Sequence, residues 1–446
     1  MIVWPKESKL YREALQLAYP VILSMLSVTI MANVDIIMVG RLGKEAVGAA
    51  GLANWVFLIV YLTFKALETG TQAIVARRFG EGQYQQCGRT CANALAIGLI
   101  LGLAFFALMY SLTPRLISPQ DAIVRKLGIA YLHYRLIELP FSMMVFGLNG
   151  FYYGIGKPKV PMVCMVISNV TNVLLNYMLI FGKFGAPQMG VAGAGLASSL
   201  ATISMVLLFI IYTLVGRFSQ RYAIFRERNI DIGIIKALAR LSTPVAIQGF
   251  FVNLGFLIFL YINEAIGVEA LATSNIVLEI LMFSFMPAVG FGVAAATLLG
   301  QRLGAGQPRQ AEHGTWASLA LGCVCMGTLG IVYIIFGAYI MRAYISDPGV
   351  IRSGALVLKI VGAVQIFDAC GIILSKALQS AGLTRFVMLA EVVINWFIFL
   401  PSAYVLGLIL KMDVLGSWFA LVIYIVAFAL TMLVRFKRGD WKHVRI

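Results

Sequence analysis

Residues 78–83, Arg78-Phe79-Gly80-Glu81-Gly82-Gln83, return 224 positions later as Arg302-Leu303-Gly304-Ala305-Gly306-Gln307. At the same offset Pro20-Val21 aligns with Pro244-Val245, and Gly43-x-Glu45-Ala46 with Gly267-x-Glu269-Ala270, so the alignment needs no gap over 64 positions. Further on, Gly156 aligns with Gly382 and Asn169 with Asn395 at an offset of 226, which places a small insertion between two anchored blocks. Self-similarity at a fixed period marks a duplicated unit. The chain therefore reads as two halves, residues 1–225 and 226–446, joined by the basic segment from Arg217 to Lys236.

The solvent of that unit follows from composition. Of 446 residues 61% are hydrophobic and 12% charged, with mean hydropathy +0.90. Soluble domains carry about 25% charged residues, and apolar runs of about 20 residues recur here along the whole chain, so the bilayer is the solvent. The twelve predicted spans are roughly 16 to 39, 46 to 76, 91 to 113, 127 to 154, 159 to 182, 190 to 216, 240 to 264, 270 to 300, 315 to 345, 353 to 380, 386 to 410 and 414 to 434. The fold class is all-α integral membrane: two six-helix lobes, 1–225 and 226–446. Because the offset covers an even number of spans, the lobes enter the membrane in the same direction, with pseudo-two-fold symmetry along the membrane normal.

The net charge of +16 is spread over loops rather than gathered in one patch, which argues against nucleic acid as a partner. One set of alternate loops with the two termini holds 22 Lys and Arg, the opposite set 9. The positive-inside rule then puts both termini in the cytoplasm, as an even span number requires, in a cell (inner) membrane. No short apolar segment with a small-residue cleavage site opens the chain. The six cysteines, among them Cys323 and Cys325, have no zinc-site spacing and read as packing residues. No GxxxxGK[ST], nucleophile elbow or HExxH occurs, so the chain is read as no enzyme, without a cofactor, and driven by an ion gradient if the process is active. Two like bundles offer alternating access to a midplane site, which is transporter logic. Proline supports moving helices, with Pro20 the expected bend in the first span.

An ionisable residue at bilayer depth costs about 2.5–3.5 kcal/mol on insertion scales and marks function unless it is paired. Lys65 with Glu68 and Arg135 with Glu138 stand at i,i+3, where each can neutralise the other. Asp35, inside MLSVTIMANVDIIMVG (residues 25–40), has no basic residue within a turn, and its counterpart at the repeat offset is Phe259. The acid belongs to one half alone, so symmetric packing does not explain it. It must find polar partners on other helices or exchange a proton. Asn149, Asn169, Asn172 and Asn176 are the expected partners; the last three are spaced i, i+3, i+7 on one helical face, where carbonyl oxygens can meet an acid or a small cation, and Ser198 adds a hydroxyl. In the second half Asp368 and Lys376 stand two turns apart, close enough to share a cavity. Glu279 and Glu391 are further intramembrane acids.

These residues resemble the multidrug and toxic compound extrusion (MATE) family. The resemblance rests on VDIIMVGRLG (34–43), GTQAIVARRFGEG (70–82) and, most specifically, GIGKPKVPMVCMVISNVTNVLLNYMLIFG (154–182) with GVAGAGLASS (190–199), and it extends over both halves. It implies an antiporter that expels organic cations or amphiphilic drugs in exchange for H+ or Na+. It also implies an ion site at Asp35 with Asn149, Asn172, Asn176 and Ser198. Asn176 departs from members with Asp there and Ser198 from those with Thr; one carboxylate fewer favours a proton at Asp35 over Na+. Asp368 matches an acid of the branch that couples to Na+ in its second lobe. The stretch around Val252 lacks that branch's Glu, offering Gln248 and Asn253 instead, which weakens a sodium site there. The expected partners are thus small organic cations or amphiphilic drugs and the lipid bilayer, with the chain acting as a monomer. A flippase for a lipid-linked intermediate is the alternative, set back by the small number of intramembrane bases.

Overall fold

The computed structural model describes residues 8–119, 121–224 and 230–444. The first half runs α1 (Ser8–Gly40), α2 (Lys44–Phe64), α3 (Ala66–Gly80), α4 (Tyr84–Leu116), α5 (Ala122–Leu136), α6 (Leu139–Gly154), α7 (Lys159–Phe181), α8 (Val191–Val215) and the short α9 (Phe218–Tyr222). The second half runs α10 (Ile232–Ile266), α11 (Val268–Gly304), α12 (Pro308–Tyr344) and α13 (Pro348–Ser380). It continues through α14 (Thr384–Val393) and α15 (Leu400–Tyr404), each followed by a π-helical stretch, to α16 (Asp413–Arg438). The described residues contain no strand, and the chain is an all-α multi-pass membrane protein.

Eleven helices among the described residues are long and apolar enough to cross a membrane, counting α2–α3 and α14–α15 as one each. The twelfth predicted span, 127 to 154, is present in two pieces, α5 and α6, of 15 and 16 residues. Pro140 accounts for the division. It has no N–H to offer the carbonyl of Leu136, the last residue of α5, so the ladder lapses at Ile137 and Glu138. Pro401 acts similarly: the π-helical stretch Ile394–Phe399 lies just before it, where its missing bond to residue 397 has to be absorbed.

The repeat is visible as helix boundaries. Lys44 and Gly80 bound α2–α3, and Val268 and Gly304 bound α11, each 224 residues later. The motif glycines are the reason. Gly82 and Gly306 stand at φ 75° and 71°, while Gln83 and Gln307 donate their N–H to the carbonyls of Arg78 and Arg302 at 2.9 and 2.8 Å. This is a Schellman ending, which needs a left-handed residue one place past the C-cap, here Glu81 and Ala305. Nothing lies within 4 Å of a Cβ added at either glycine. Gly82→Ala should therefore cost about 1–2 kcal/mol through backbone strain alone. Thermal unfolding in detergent is the check, and an unchanged midpoint would contradict the capping role.

Two compact units emerge, one Leu23–Ala246 and the other Met1–Ile22 with Ile247–Ile446. The division expected between 1–225 and 226–446, with Arg226 and Arg228 of the joining segment, falls on residues 225–229, outside the described residues. Lys6 and Arg445 of the loop-charge argument also lie outside them. The first unit has two cores, one around Val75, Phe151, Tyr152 and Phe209, the other around Phe57, Leu132, Leu136 and Ile180. The second has one, from Phe259, Phe399 and Trp418 to Phe436. Both α1 and α10 change unit in mid-helix, after Ile22 and after Ala246, each two residues past a proline, Pro20 and Pro244. The early part of α1 is held by an ion pair from Arg302 to Glu13 at 3.1 Å and by Gly290, where a Cβ would stand 2.4 Å from Ile22.

Candidate functional site

The asparagine stripe on α7 meets the acid of α1. Asn176 donates through Nδ2 to Asp35 Oδ1 at 2.5 Å and to Asn172 Oδ1 at 2.8 Å, and Asn172 Nδ2 donates to Ser198 Oγ at 3.3 Å. Ser198 in turn donates to the carbonyl of Ala194 at 3.2 Å. One line of hydrogen bonds thus runs from α1 through α7 to α8. Asn169 Nδ2 donates to Ser27 Oγ at 2.6 Å, a second tie between α7 and α1 two turns before Asp35. Asn172, Asn176 and Ser198 are buried and Asp35 is half-buried. Asn176 Oδ1 is buried without a hydrogen-bond partner.

Small residues bring these helices together. At Gly193 an added Cβ would stand 2.6 Å from the Leu179 carbonyl oxygen of α7, and at Gly195 2.5 Å from that of Tyr131 on α5. The sequence GVAGAGLASS therefore lets α8 approach α7 and α5 at once, as small residues do where lipid supplies no hydrophobic drive. Ser199, next to Ser198, donates to the Tyr134 carbonyl at 2.7 Å and fixes that approach.

Arg135, at the end of α5, forms the expected pair with Glu138 at 3.3 Å, and Ser142 donates to the same carboxylate at 3.2 Å. The guanidinium also lies 4.7 Å from the Phe57 ring centre. Its field reaches Asp35 and Tyr131 as well as Glu138. Sequence spacing identified the pair but not this reach, because nothing in the chain order signals that Arg135 comes within electrostatic range of Asp35.

Two expectations are corrected here. Asn149 is not in the Asp35 network: its Nδ2 donates to Glu68 Oε2 at 3.2 Å. A Cβ at the adjacent Gly150 would lie 2.5 Å from the Glu68 carbonyl oxygen, so it is the close approach of α6 to α3 that fixes this contact. Lys65 does not pair with Glu68. It occupies the joint between α2 and α3, and the Glu68 carboxylate is taken instead by Asn149 of α6.

The second unit gathers a different set. Glu391 accepts from Gln248 Nε2 and from the Tyr424 hydroxyl, the latter at 3.1 Å, while Gln379 Nε2 donates to Gln248 Oε1 at 3.0 Å. Asp368 and Lys376 are within electrostatic range of Glu391. Asp368, Lys376 and Gln248 therefore cluster, but around Glu391, which sequence reading noted only as one more acid. Glu279 stands exposed on α11 with neither an ion pair nor a hydrogen bond among the described residues. Tyr424 and Gln379 gave no advance signal, since a tyrosine and a glutamine in apolar helices are ordinary until the acid between them is placed.

The family model MatE matches residues 20–178 and 244–405. The probable multidrug resistance protein NorM of Thermotoga maritima is 27% identical across 98% of this chain and 95% of its own length. The multidrug resistance protein MdtK of Yersinia pseudotuberculosis is 27% identical across 96% and 95%. Among solved structures, a crystal structure of MATE in the straight conformation shares the fold with a TM-score of 0.89 at 19% identity, covering 99% of this chain and 100% of that one.

Proposed function

The chain belongs to the MatE family of multidrug efflux transporters, and we propose that it exports organic cations or amphiphilic drugs in exchange for protons that bind at Asp35. The observation that carries this reading is the line Asp35, Asn176, Asn172, Ser198, which attaches one carboxylate to three neutral groups on two further helices. A lone carboxylate that its amide neighbour meets with an N–H donor suits one proton better than a cation that needs several oxygen ligands. The relatives' printed names, multidrug resistance proteins, support drugs as the cargo.

Coupling follows from differential affinity. Ionised, Asp35 offers a negative charge to a cationic substrate; protonated, it loses that charge and its strongest hold on Asn176, freeing α1 to rearrange between Asp35 and Pro20. An ion that prefers one state and a substrate that prefers the other move each other across the membrane by alternating access. The polypeptide acts as a monomer in the inner membrane with both termini cytoplasmic. Sodium is the second reading, supported by the unpartnered buried Asn176 Oδ1, a carbonyl oxygen of the type that ligates hard cations.

Cells stripped of their own pumps provide the test. Expression of this chain should lower ethidium accumulation, and a protonophore should restore it while a sodium ionophore does not. Restoration by the sodium ionophore alone would move the ion to Na+. Unchanged accumulation would overturn drug export.

A further inference from the structure

A groove of about 580 Å³ lies on the second unit where the end of α12 passes the start of α13. Its apolar wall includes Ile351, Ala355 and Leu356, and three cations line it: Arg342 on α12, Arg352 and Lys359 on α13. All three side chains are exposed, and none is in an ion pair among the described residues. Arg342 rests on the ring of Tyr339 with 5.6 Å to its centre. The two acids nearby are engaged elsewhere: Asp347 caps α13 by accepting from the Val350 N–H at 3.0 Å, and Glu269 accepts from Ser353 Oγ at 2.8 Å.

The placement decides the ligand. Arg352 and Lys359 are seven residues apart, two turns along one face of α13. Lys359 stands six residues inside the span predicted at 353 to 380, about 9 Å along the axis at 1.5 Å per residue, where an anion in the headgroup layer stabilises an exposed ammonium. Between the two charges the wall is Ala355 and Leu356, which suits the glycerol ester part of a lipid better than a bare ion. A comparable groove beside α16 lacks this character, since its Arg435 is already paired with Asp440 at 2.8 Å and stacked on Phe386.

We propose that the α12–α13 groove binds one anionic phospholipid, its headgroup held by Arg342, Arg352 and Lys359 over the apolar floor of Ile351, Ala355 and Leu356. The net negative charge of the lipid is what the site selects, because a zwitterionic headgroup brings its own cation to a surface that already has three.

Native mass spectrometry of the detergent-solubilised full chain, titrated with phosphatidylglycerol or phosphatidylcholine, tests this. Wild type should prefer phosphatidylglycerol. Arg342→Gln/Arg352→Gln/Lys359→Gln should lose on the order of 100-fold in that affinity, at about fivefold per basic residue beside an anionic headgroup. Lys359→Arg and the control Arg438→Gln should keep it. Lipid-free thermal unfolding of the triple variant should match wild type, as expected for exposed positions; phosphatidylglycerol should raise the midpoint of wild type alone. Equal phosphatidylglycerol binding by the triple variant, no preference over phosphatidylcholine, or the same thermal shift from inorganic phosphate would each overturn the proposal.

Discussion

Asp35→Asn should leave the protein folded and reduce gradient-driven efflux to the level of protein-free vesicles. The substitution keeps size and shape, and the amide oxygen of the substituted side chain can still accept from Asn176 Nδ2, which in the wild type bonds the carboxylate at 2.5 Å. The ties that assemble the surrounding helices, from Asn169 to Ser27 and from Ser199 to Tyr134, do not involve Asp35. What disappears is a titratable charge. Without it the two states of α1 no longer differ in their affinity for an ion, and a ligand with no differential affinity shifts nothing. Downhill movement of drug through the same protein should survive, at lower affinity for want of the Asp35 charge, so uncoupled leak with normal unfolding behaviour is the expected phenotype.

Arg135→Gln should destabilise the protein by about 3–5 kcal/mol, the usual cost of stranding one partner of a buried ion pair. Glu138 has a side chain only 4% exposed, against 19% for Arg135, so the remaining carboxylate would have little access to water. The double substitution Arg135→Leu/Glu138→Leu removes both charges and should recover most of that loss, because an apolar pair of similar volume has no desolvation penalty. Denaturant or thermal unfolding of the three proteins in detergent separates the outcomes. A double variant as unstable as the single one would mean that the pair contributes through its contacts with Phe57 and Ser142 and not through mutual neutralisation.

The repeat made much of this fold legible. The offset of 224 read from the sequence returns in the helix ends at Gly80 and Gly304, and the repeated glycines Gly82 and Gly306 both adopt the left-handed conformation. The stripe Asn169, Asn172, Asn176 was readable because helical periodicity alone puts three amides on one face, and two of them do join Asp35 in one network. Where chain order carries no information, reading stopped. That α6 approaches α3 closely enough to take Asn149 to Glu68 depends on Gly150 meeting a backbone 82 residues away in sequence. The pairing of Gln248 with Glu391 spans 143 residues, and local spacing is silent about it. Lys65 and Glu68 mislead because local spacing cannot show that Asn149, 81 residues on, takes the carboxylate.

The central claim is that Asp35 exchanges the ion that drives export. Proteoliposomes holding a pH-sensitive dye, with no imposed gradient, measure it most directly when a cationic drug is added on one side. Wild type should move protons against the drug, detectable as a pH change of opposite direction to the drug flux, and Asp35→Asn should carry drug with no pH change. Proton movement that persists in Asp35→Asn would contradict the account and direct attention to Asp368 and Glu391 in the second unit.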